Sequence, residues 1–312
     1  MNSEQFHVQI PGEQTIRVDS FVASLGLFSR SQISKRSVSV RNLSGEELKF
    51  SRRLKDGDAI LLEWDNLPSS EINPEPLNLN VVYEDENCIV IDKAQGVVVH
   101  PAYGHTHGTL VQGLLYRCNK LETAFGGDRI RPGIVHRLDK DTSGLIIAAK
   151  NTGALEFLSA QFRDRSVKKT YLAVIRGAPP FSEGEIEEPI GRDPRDRKKF
   201  TIRTRNAKYA LTRYRILSES RGFSLIQLRI LTGRTHQIRV HLQSIGCPVL
   251  GDPIYNRKNP AFPDASLMLH SWKLAIQLPE IGKKRFSAVV PNRFSTILSE
   301  LGIEYFNSLD SS

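Results

Sequence analysis

The stretch at residues 131–150 constrains the fold most, because it joins a charge-dense loop to a short apolar run. The run at residues 145–149, Leu-Ile-Ile-Ala-Ala, has the length and composition of a strand that is covered on both faces. The residues just before it, 136–144, are mostly polar or charged. A polar loop held by a stiff buried strand is a common place for functional side chains. The sequence therefore predicts a site at the start of this strand.

Asp139 is the predicted functional carboxylate of this loop. Arg137 and Lys140 flank it, and neighbouring cations keep a carboxylate ionised even when it is partly buried. An ionised and oriented carboxylate can act as a nucleophile or a base. From charge alone, the alternative is a salt-bridged turn in front of a core strand.

The order of residues 136–145, His-Arg-Leu-Asp-x-x-Thr-Ser-Gly-Leu, resembles the signature of the RluA-type RNA pseudouridine synthases. Further motifs of that family occur before and after this signature, in the order in which the family has them. They are Gly-x-x-x-His-Pro at 96–101, Lys-x-Tyr-x-Ala at 169–173, Thr-Gly-Arg-x-His-Gln-Ile-Arg-x-His at 232–241, Gly-Asp-x-x-Tyr at 251–255, and Leu-His at 269–270. The resemblance covers nearly the whole chain.

This resemblance implies an α+β fold, in which a mixed, mainly antiparallel β-sheet is flanked by helices and loops, with a small α/β domain in front. It implies the isomerisation of uridine to pseudouridine in RNA, with Asp139 as the catalytic residue and Tyr171 in the active site. It also implies that Arg234 pairs with Asp139. Arg137 is the candidate for a side chain that fills the gap left by an extruded base, or that clamps a phosphate. The expected substrate contacts are Arg137, His136, Thr142 and Leu269.

Three segments are predicted: a first domain at 1–66, an extended and exposed linker at 67–78, and a catalytic domain at 79–312. The first segment has Arg-x-Asp at 17–19, Leu-Gly at 25–26, Ser-Arg-Ser at 29–31, and Asp-Gly-Asp at 56–58 before an apolar strand. This order is similar to the small alpha-L RNA-binding domain of ribosomal proteins and RNA-modifying enzymes. The alternative is a generic α/β module that does not touch RNA.

The net charge of +9 lies entirely in residues 71–312, since residues 1–70 hold nine basic and nine acidic side chains. Residues 192–215 alone carry ten basic and two acidic side chains, which suits contact with phosphates. A solvated loop is the alternative. Together with the basic stretch at 30–55, this predicts RNA contacts by Arg30, Lys35, Arg36, Arg197, Lys198 and Lys199.

Composition and motifs also predict absences. No apolar run approaches the ~20 residues that a membrane span needs, and the three distant cysteines suit a reduced, cytoplasmic protein. His100, His105 and His107 lack the Cys or carboxylate partners of a metal site, and no phosphate-cradling glycine motif is present. We expect no cofactor, no metal, no DNA and a monomer. His236 and His241 are five residues apart and are predicted to be structural.

The expected substrate is large-subunit ribosomal RNA, by analogy with family members that carry the small domain. A synthase acting on tRNA is one alternative, and a non-catalytic RNA-binding or ribosome-assembly factor is another. A carboxylate glycosidase is the third, and it would need a second catalytic carboxylate such as Asp141 or Asp252.

Overall fold

The computed structural model describes residues 2–10, 12, 14–25, 38–64, 72–101, 105–118, 133–196 and 198–304. Contacts divide the chain into a smaller unit, residues 1–71, and a larger unit, residues 72–312. No helix among the described residues is long and apolar enough to cross a membrane. The short second helix predicted to follow Ser31 lies outside the described residues.

The smaller unit is a three-stranded antiparallel sheet with a helix. Its elements are β1 (Asn2–His7), β2 (Ile16–Arg17), α1 (Val18–Ser24), β3 (Val38–Asn42), β4 (Arg53–Leu54) and β5 (Ala59–Trp64). The sheet has the order β1–β5–β3, and β2 pairs with β4. Val18 and Val22 of α1 and Ile60 and Leu62 of β5 are fully buried in one core, because each pair presents a single face of its element.

The larger unit carries a long sheet with helices on both sides. Its strands are β6 (Val81–Glu84), β7 (Cys88–Lys93), β8 (Ser143–Ala149), β9 (Lys168–Arg176), β10 (Glu183–Glu187), β11 (Ile190–Arg192), β12 (Phe200–Ile202), β13 (Leu211–Ser220), β14 (Phe223–Ile230), β15 (Leu269–Leu278) and β16 (Gly282–Ser287). Its helices are α2 (Leu110–Arg117), α3 (Thr152–Arg163), α4 (Gln237–Ser244) and α5 (Asn292–Leu301).

Within the described residues, nine of these strands form one sheet in the order β10–β13–β14–β9–β15–β8–β7–β6, with β16 paired to β15. Only the β15–β8 pairing among these strands is parallel. The predicted α+β class with a mainly antiparallel sheet is confirmed. The hairpin of β11 and β12 was not predicted, because its strands are short and separated by charged residues.

Strand β8 lies at the centre of the unit and is buried on both faces, as predicted. Ile146 and Ala148 join the core that includes α2, α4 and α5, whereas Leu145, Ile147 and Ala149 join a second core against α3. Burial on both faces explains why the run is continuously apolar rather than alternating. The loop before β8 is thereby attached to the most rigid part of the unit.

Over residues 72–78, the segment predicted as a linker contacts the larger unit. Ile72 is buried in the core of the larger unit. Glu75 accepts hydrogen bonds from the backbone N–H of Gly108 and from the side chains of His107 and Gln112. These contacts attach the segment to the larger unit. The rest of the predicted linker, residues 67–71, lies outside the described residues.

Gly144 allows β8 to approach β15 closely. Its φ is +109°, and a Cβ built on it would overlap the backbone carbonyl and nitrogen of Ser271. Ser271 pairs with Gly144 in the parallel ladder and with Tyr171 of β9 in the antiparallel one. A side chain at position 144 would therefore displace the strands that carry the predicted site.

We expect Gly144→Ala to lower the free energy of unfolding by about 3 kcal/mol or more, through backbone strain and steric overlap. Gly153→Ala is the matched control. Gly153 lies in α3, where the nearest atom to an added Cβ is Asn151 Oδ1 at 3.6 Å. That change should be neutral or stabilise the protein by roughly 0.5–1 kcal/mol. Urea unfolding followed by circular dichroism measures both, and equal midpoints would contradict this packing.

Candidate active site

The loop that carries Asp139 is fastened by a buried lysine from β7. Lys93 is 1% exposed, and its Nζ donates to the backbone carbonyls of Ala94, Val97 and Lys140 at 2.9, 2.9 and 3.0 Å. Burial lowers the pKa of Lys93 to about 8. One side chain thus holds the backbone next to Asp139 against the end of β7.

Two further hydrogen bonds fix the turn between Asp139 and β8. The backbone N–H of Thr142 donates to the carbonyl of Asp139 at 3.2 Å. The side-chain amide of Gln95 donates to the carbonyl of Asp141 at 2.8 Å. The main chain on the C-terminal side of Asp139 is therefore held at several points, and the position of its carboxylate is well defined.

Among the described residues, the cation nearest to Asp139 is Arg239 of α4. Its Nη1 lies 3.4 Å from Asp139 Oδ2. Its Nε and Nη2 make a bidentate pair with Asp252 at 2.7 and 2.8 Å. Both partners of that pair are almost inaccessible, at 3% and 0% exposure of their side chains. Burial opposes the charge, but the hydrogen bonds and charges of Asp252 and Asp139 raise the pKa of Arg239 above its ordinary value.

The predicted pairing of Arg234 with Asp139 is wrong. The side-chain Nε of Arg234 donates instead to the backbone carbonyl of Tyr209 at 3.0 Å, and the backbone N–H of Arg234 donates to Gln237 Oε1. Arg234 lies in the loop in front of α4, whereas Arg239 lies within the helix and its side chain is buried. Both arginines belong to the same sequence motif, but Arg239, the buried one, contacts Asp139. Arg234 still lines the cleft above Asp139.

His236 also lies beside Asp139, although its sequence position suggested a structural role. Its Nε2 is 3.9 Å from Asp139 Oδ2. Burial lowers the pKa of His236, while the charge of Asp139 acts in the opposite direction. His241, the other histidine predicted to be structural, has structural contacts. Its ring nitrogens form hydrogen bonds with Thr212 Oγ1 and with the backbone carbonyl of Glu188, both at 2.9 Å.

An open cleft lies over Asp139. Tyr171 and Leu269, from β9 and β15, line it together with Thr142, and all three are buried. Burial raises the pKa of the Tyr171 hydroxyl, and the charge of Asp139 adds to this effect. The structure thus brings Asp139, Tyr171, Thr142 and Leu269 together as the sequence predicted.

A second, larger cleft of about 590 Å³ adjoins the first. The two share Arg137, Leu138, Asp139, Thr235 and His236, so that Asp139 lies where they meet. Arg137 is exposed, as an intruding or phosphate-binding side chain would be. A planar ligand in the first cleft and an extended chain in the second would both reach Asp139.

His136 lines the second cleft and also makes structural contacts. Its Nε2 accepts the backbone N–H of Ile147 at 3.0 Å, and its ring stacks on Phe162 with centroids 4.5 Å apart. Burial lowers the pKa of His136 to about 3, so the ring is neutral and free to accept this bond. The histidine therefore fastens the loop to β8.

Of the predicted RNA contacts, Lys198 and Lys199 are described. They lie between β11 and β12, where Lys198 is exposed and Lys199 is half-buried, 4.0 Å from Asp196. Arg30, Lys35, Arg36 and Arg197 lie outside the described residues. The three cysteines are buried and unpaired, as predicted. Among the described residues, no group of three His, Cys, Asp or Glu side chains is arranged to hold a metal ion.

Comparison with known proteins agrees with this geometry. The RNA pseudouridylate synthase family matches residues 87–244, a segment that contains Asp139, Tyr171 and Arg239. The chain is 41% identical over 294 residues to the ribosomal large subunit pseudouridine synthase D of Borreliella burgdorferi, covering 92% of this chain and 90% of that protein. The chain belongs to the RNA pseudouridine synthase family.

Other relatives support the same assignment. An RNA pseudouridine synthase of Aquifex aeolicus without a characterised target is 39% identical over 312 residues, covering 96% of this chain and 98% of that one. The solved structure of human RNA pseudouridylate synthase domain containing 4 superposes with a TM-score of 0.58 at 27% identity, covering 73% of this chain and 95% of that one. Members of this family are isomerases, and the chain is an enzyme of that class.

The different environments of the two arginines predict different costs of removing them. Arg239→Met leaves the carboxylate of Asp252 buried without its partner, and we expect a loss of about 3–5 kcal/mol in the free energy of unfolding. Arg234→Met loses one hydrogen bond to a backbone carbonyl at the surface and should cost about 1 kcal/mol or less. Urea denaturation of the two variants measures the difference. Equal losses would contradict the pairing described here.

Proposed function

We propose that the enzyme converts a uridine of large-subunit ribosomal RNA to pseudouridine, with Asp139 as the catalytic residue. The observation that carries this proposal is the position of Asp139, at the junction of two clefts and within 3.9 Å of Arg239 and His236. A carboxylate that faces two nitrogen-bearing side chains in a partly closed cleft is accessible to a ligand and held in a defined orientation. These are the properties that attack on, or proton removal from, a nucleoside requires.

The reaction is an isomerisation. The bond from C1′ of the ribose to N1 of uracil breaks, the base turns, and a bond from C1′ to C5 forms. C5 loses a proton and N1 gains one, so no atoms or electrons are exchanged with another molecule. Asp139 can serve by attack on C1′ or on C6, or by taking the proton of C2′, and each route needs the carboxylate charged and close to the nucleoside.

Tyr171 supports the base in this proposal. Its ring lines the cleft beside Asp139 and Leu269, where it can contact the flat face of uracil. Its raised pKa keeps the hydroxyl protonated at neutral pH, so that in the resting enzyme it is a donor rather than a base. Arg137, exposed at the mouth of both clefts, is placed to occupy the gap in the RNA or to bind a phosphate.

The RNA itself is proposed from charge and from relatives. The name of the Borreliella relative specifies the ribosomal large subunit, and the match extends over most of both chains. We propose the segment 1–66 as an alpha-L type RNA-binding domain, joined through a linker at 67–78 to the catalytic domain at 79–312. Lys198 and Lys199, with Arg197, Arg30, Lys35 and Arg36, are the proposed phosphate contacts. The enzyme would work as a cytoplasmic monomer without a cofactor.

The principal prediction concerns Asp139. Asp139→Asn keeps the size of the side chain but removes its charge, and we expect pseudouridine formation to fall at least ~10³-fold, because the carboxylate is the reacting group. The measurement is carbodiimide labelling and primer extension across ribosomal RNA and tRNA from cells with the wild-type protein, without it, and with the variant.

The same map tests the substrate. A stop in large-subunit RNA that disappears in both the deletion strain and the variant would identify the uridine. Loss of a primer-extension stop in tRNA would identify tRNA as the substrate. An unchanged map in the deletion strain would favour a binding or assembly role. A stop that is lost in the deletion strain but kept in the variant would contradict the role of Asp139.

A second prediction concerns affinity. Lys198→Ala together with Lys199→Ala should weaken RNA binding and lower the slope of log K against log salt by about 1–2, because each phosphate contact releases counterions. Lys283→Ala, an exposed lysine of β16, is the matched control. Filter binding over a salt series measures the slope, and equal slopes for all three proteins would exclude the two lysines as phosphate contacts.

A further inference from the structure

His236 and Tyr255 form a hydrogen-bonded pair next to Asp139. The Nδ1 of His236 lies 2.9 Å from the hydroxyl oxygen of Tyr255, and its Nε2 faces Asp139 Oδ2 at 3.9 Å. The family resemblance placed both residues within motifs without a part in the reaction. Their geometry connects the carboxylate to the hairpin of β11 and β12.

The direction of these hydrogen bonds is fixed at one end by the backbone. The N–H of Phe200 points to the hydroxyl oxygen of Tyr255 at 2.8 Å. Because a backbone N–H can only donate, the Tyr255 oxygen accepts this bond and keeps its own proton for His236 Nδ1. A neutral imidazole has one protonated nitrogen. With Tyr255 as the donor, Nδ1 is the acceptor and the ring proton lies on Nε2, facing the Asp139 carboxylate.

The ring of His236 is also held in place by packing. Its centroid is 5.6 Å from that of Phe200 and 5.5 Å from that of Tyr255, both in edge-to-face geometry. Its backbone has a φ of +57°, a left-handed conformation that is uncommon outside glycine, at the residue just before α4. Strain of this kind persists where the surroundings determine the conformation, and it clusters at functional sites.

We propose that His236 is a positioning residue for Asp139, because the bonds from Phe200 through Tyr255 keep its Nε2–H directed at the carboxylate. The proposal rests on the proposed function of Asp139. At 3.9 Å the contact is longer than a hydrogen bond, and such contacts shorten when a substrate closes the site. Asp139 would then receive a charged contact from Arg239 and a neutral N–H from His236.

The same hydrogen bonds connect RNA contact to catalysis. Phe200 begins β12 and directly follows Lys199, a proposed phosphate contact. A change in the position of this hairpin on the RNA reaches Asp139 through Tyr255 and His236. Arg239 depends instead on Asp252, so its contact with Asp139 does not pass through the hairpin.

The test uses a pair of substitutions at one position. His236→Met fills the space but has no N–H, whereas His236→Gln carries an amide N–H at about the reach of Nε2. We expect His236→Met to lower the single-turnover rate of pseudouridine formation by about 10- to 100-fold, since misplacing a reacting group by about 1 Å has an effect of this order. His236→Gln should recover most of that loss. The dissociation constant for RNA should stay within about twofold for both variants.

A spectroscopic measurement tests the hydrogen-bond direction without activity. Long-range ¹H–¹⁵N correlation spectra of histidine-labelled protein distinguish the two neutral tautomers, and the signal missing from His236→Gln belongs to His236. We expect the wild type to show a protonated Nε2 and an unprotonated Nδ1. In Tyr255→Phe the Nδ1 loses its donor, and the tautomers should mix.

Each unfavourable outcome has a distinct meaning. An Nδ1–H tautomer in the wild type would overturn the inference, and so would a His236→Met enzyme as fast as the wild type. A folded His236→Gln enzyme as slow as His236→Met would overturn it too. A wild-type protein that forms no pseudouridine would overturn the proposed function itself. Thermal unfolding midpoints of both variants establish that they are folded.

Discussion

A guanidinium group shared between two carboxylates is the interaction on which the site depends. Arg239 uses two of its nitrogens on Asp252 and a third on Asp139. A buried charge is stable only when it is paired and hydrogen-bonded, so the fully buried Asp252 keeps Arg239 in the interior of the unit. Asp139, which is more accessible, receives the remaining nitrogen and can face a ligand. One cation thus fixes the fold and orients the candidate catalytic group.

Asp252 extends this arrangement to the turn that follows it. Its Oδ1 also accepts the backbone N–H groups of Ile254 and Tyr255 at 2.8 and 3.0 Å. This places the Tyr255 ring 5.2 Å from the Arg239 guanidinium and puts its hydroxyl next to His236. On the opposite side, Lys93 and the strand β8 hold the loop of Asp139. The site is therefore built from two rigid halves, and Asp139 lies where they meet.

Much of this could be predicted from the sequence. The apolar run of β8 was predicted as a strand covered on both faces, and the family motifs that contain Asp139, Tyr171 and Leu269 indicated the cleft residues. The pairing of Asp139 could not be predicted in the same way. Arg234 and Arg239 occur in one motif, and local pattern does not tell which of them reaches a carboxylate 100 residues away in sequence.

The remaining misses have similar physical causes. His236 looked structural because spacing along a helix excluded a metal site with His241, but the residue lies before the helix, in a left-handed conformation that spacing does not reveal. The charge of the segment around Lys198 indicated phosphate contact or a solvated loop. Its short strands β11 and β12 carry too few apolar residues to be recognised from the sequence. The contact of Glu75 with Gln112 could not be predicted either, because the two residues are distant in sequence.

We expect Asp252, which lines neither of the two clefts, to orient Asp139 through Arg239. The most direct test is the single-turnover rate of pseudouridine formation by Asp252→Asn, since Asn keeps one oxygen for the turn but weakens its hold on Arg239. We expect the single-turnover rate at saturating RNA to fall about 10- to 100-fold, while the variant stays folded and its affinity for RNA is unchanged. A folded variant that reacts at the wild-type rate would contradict this expectation.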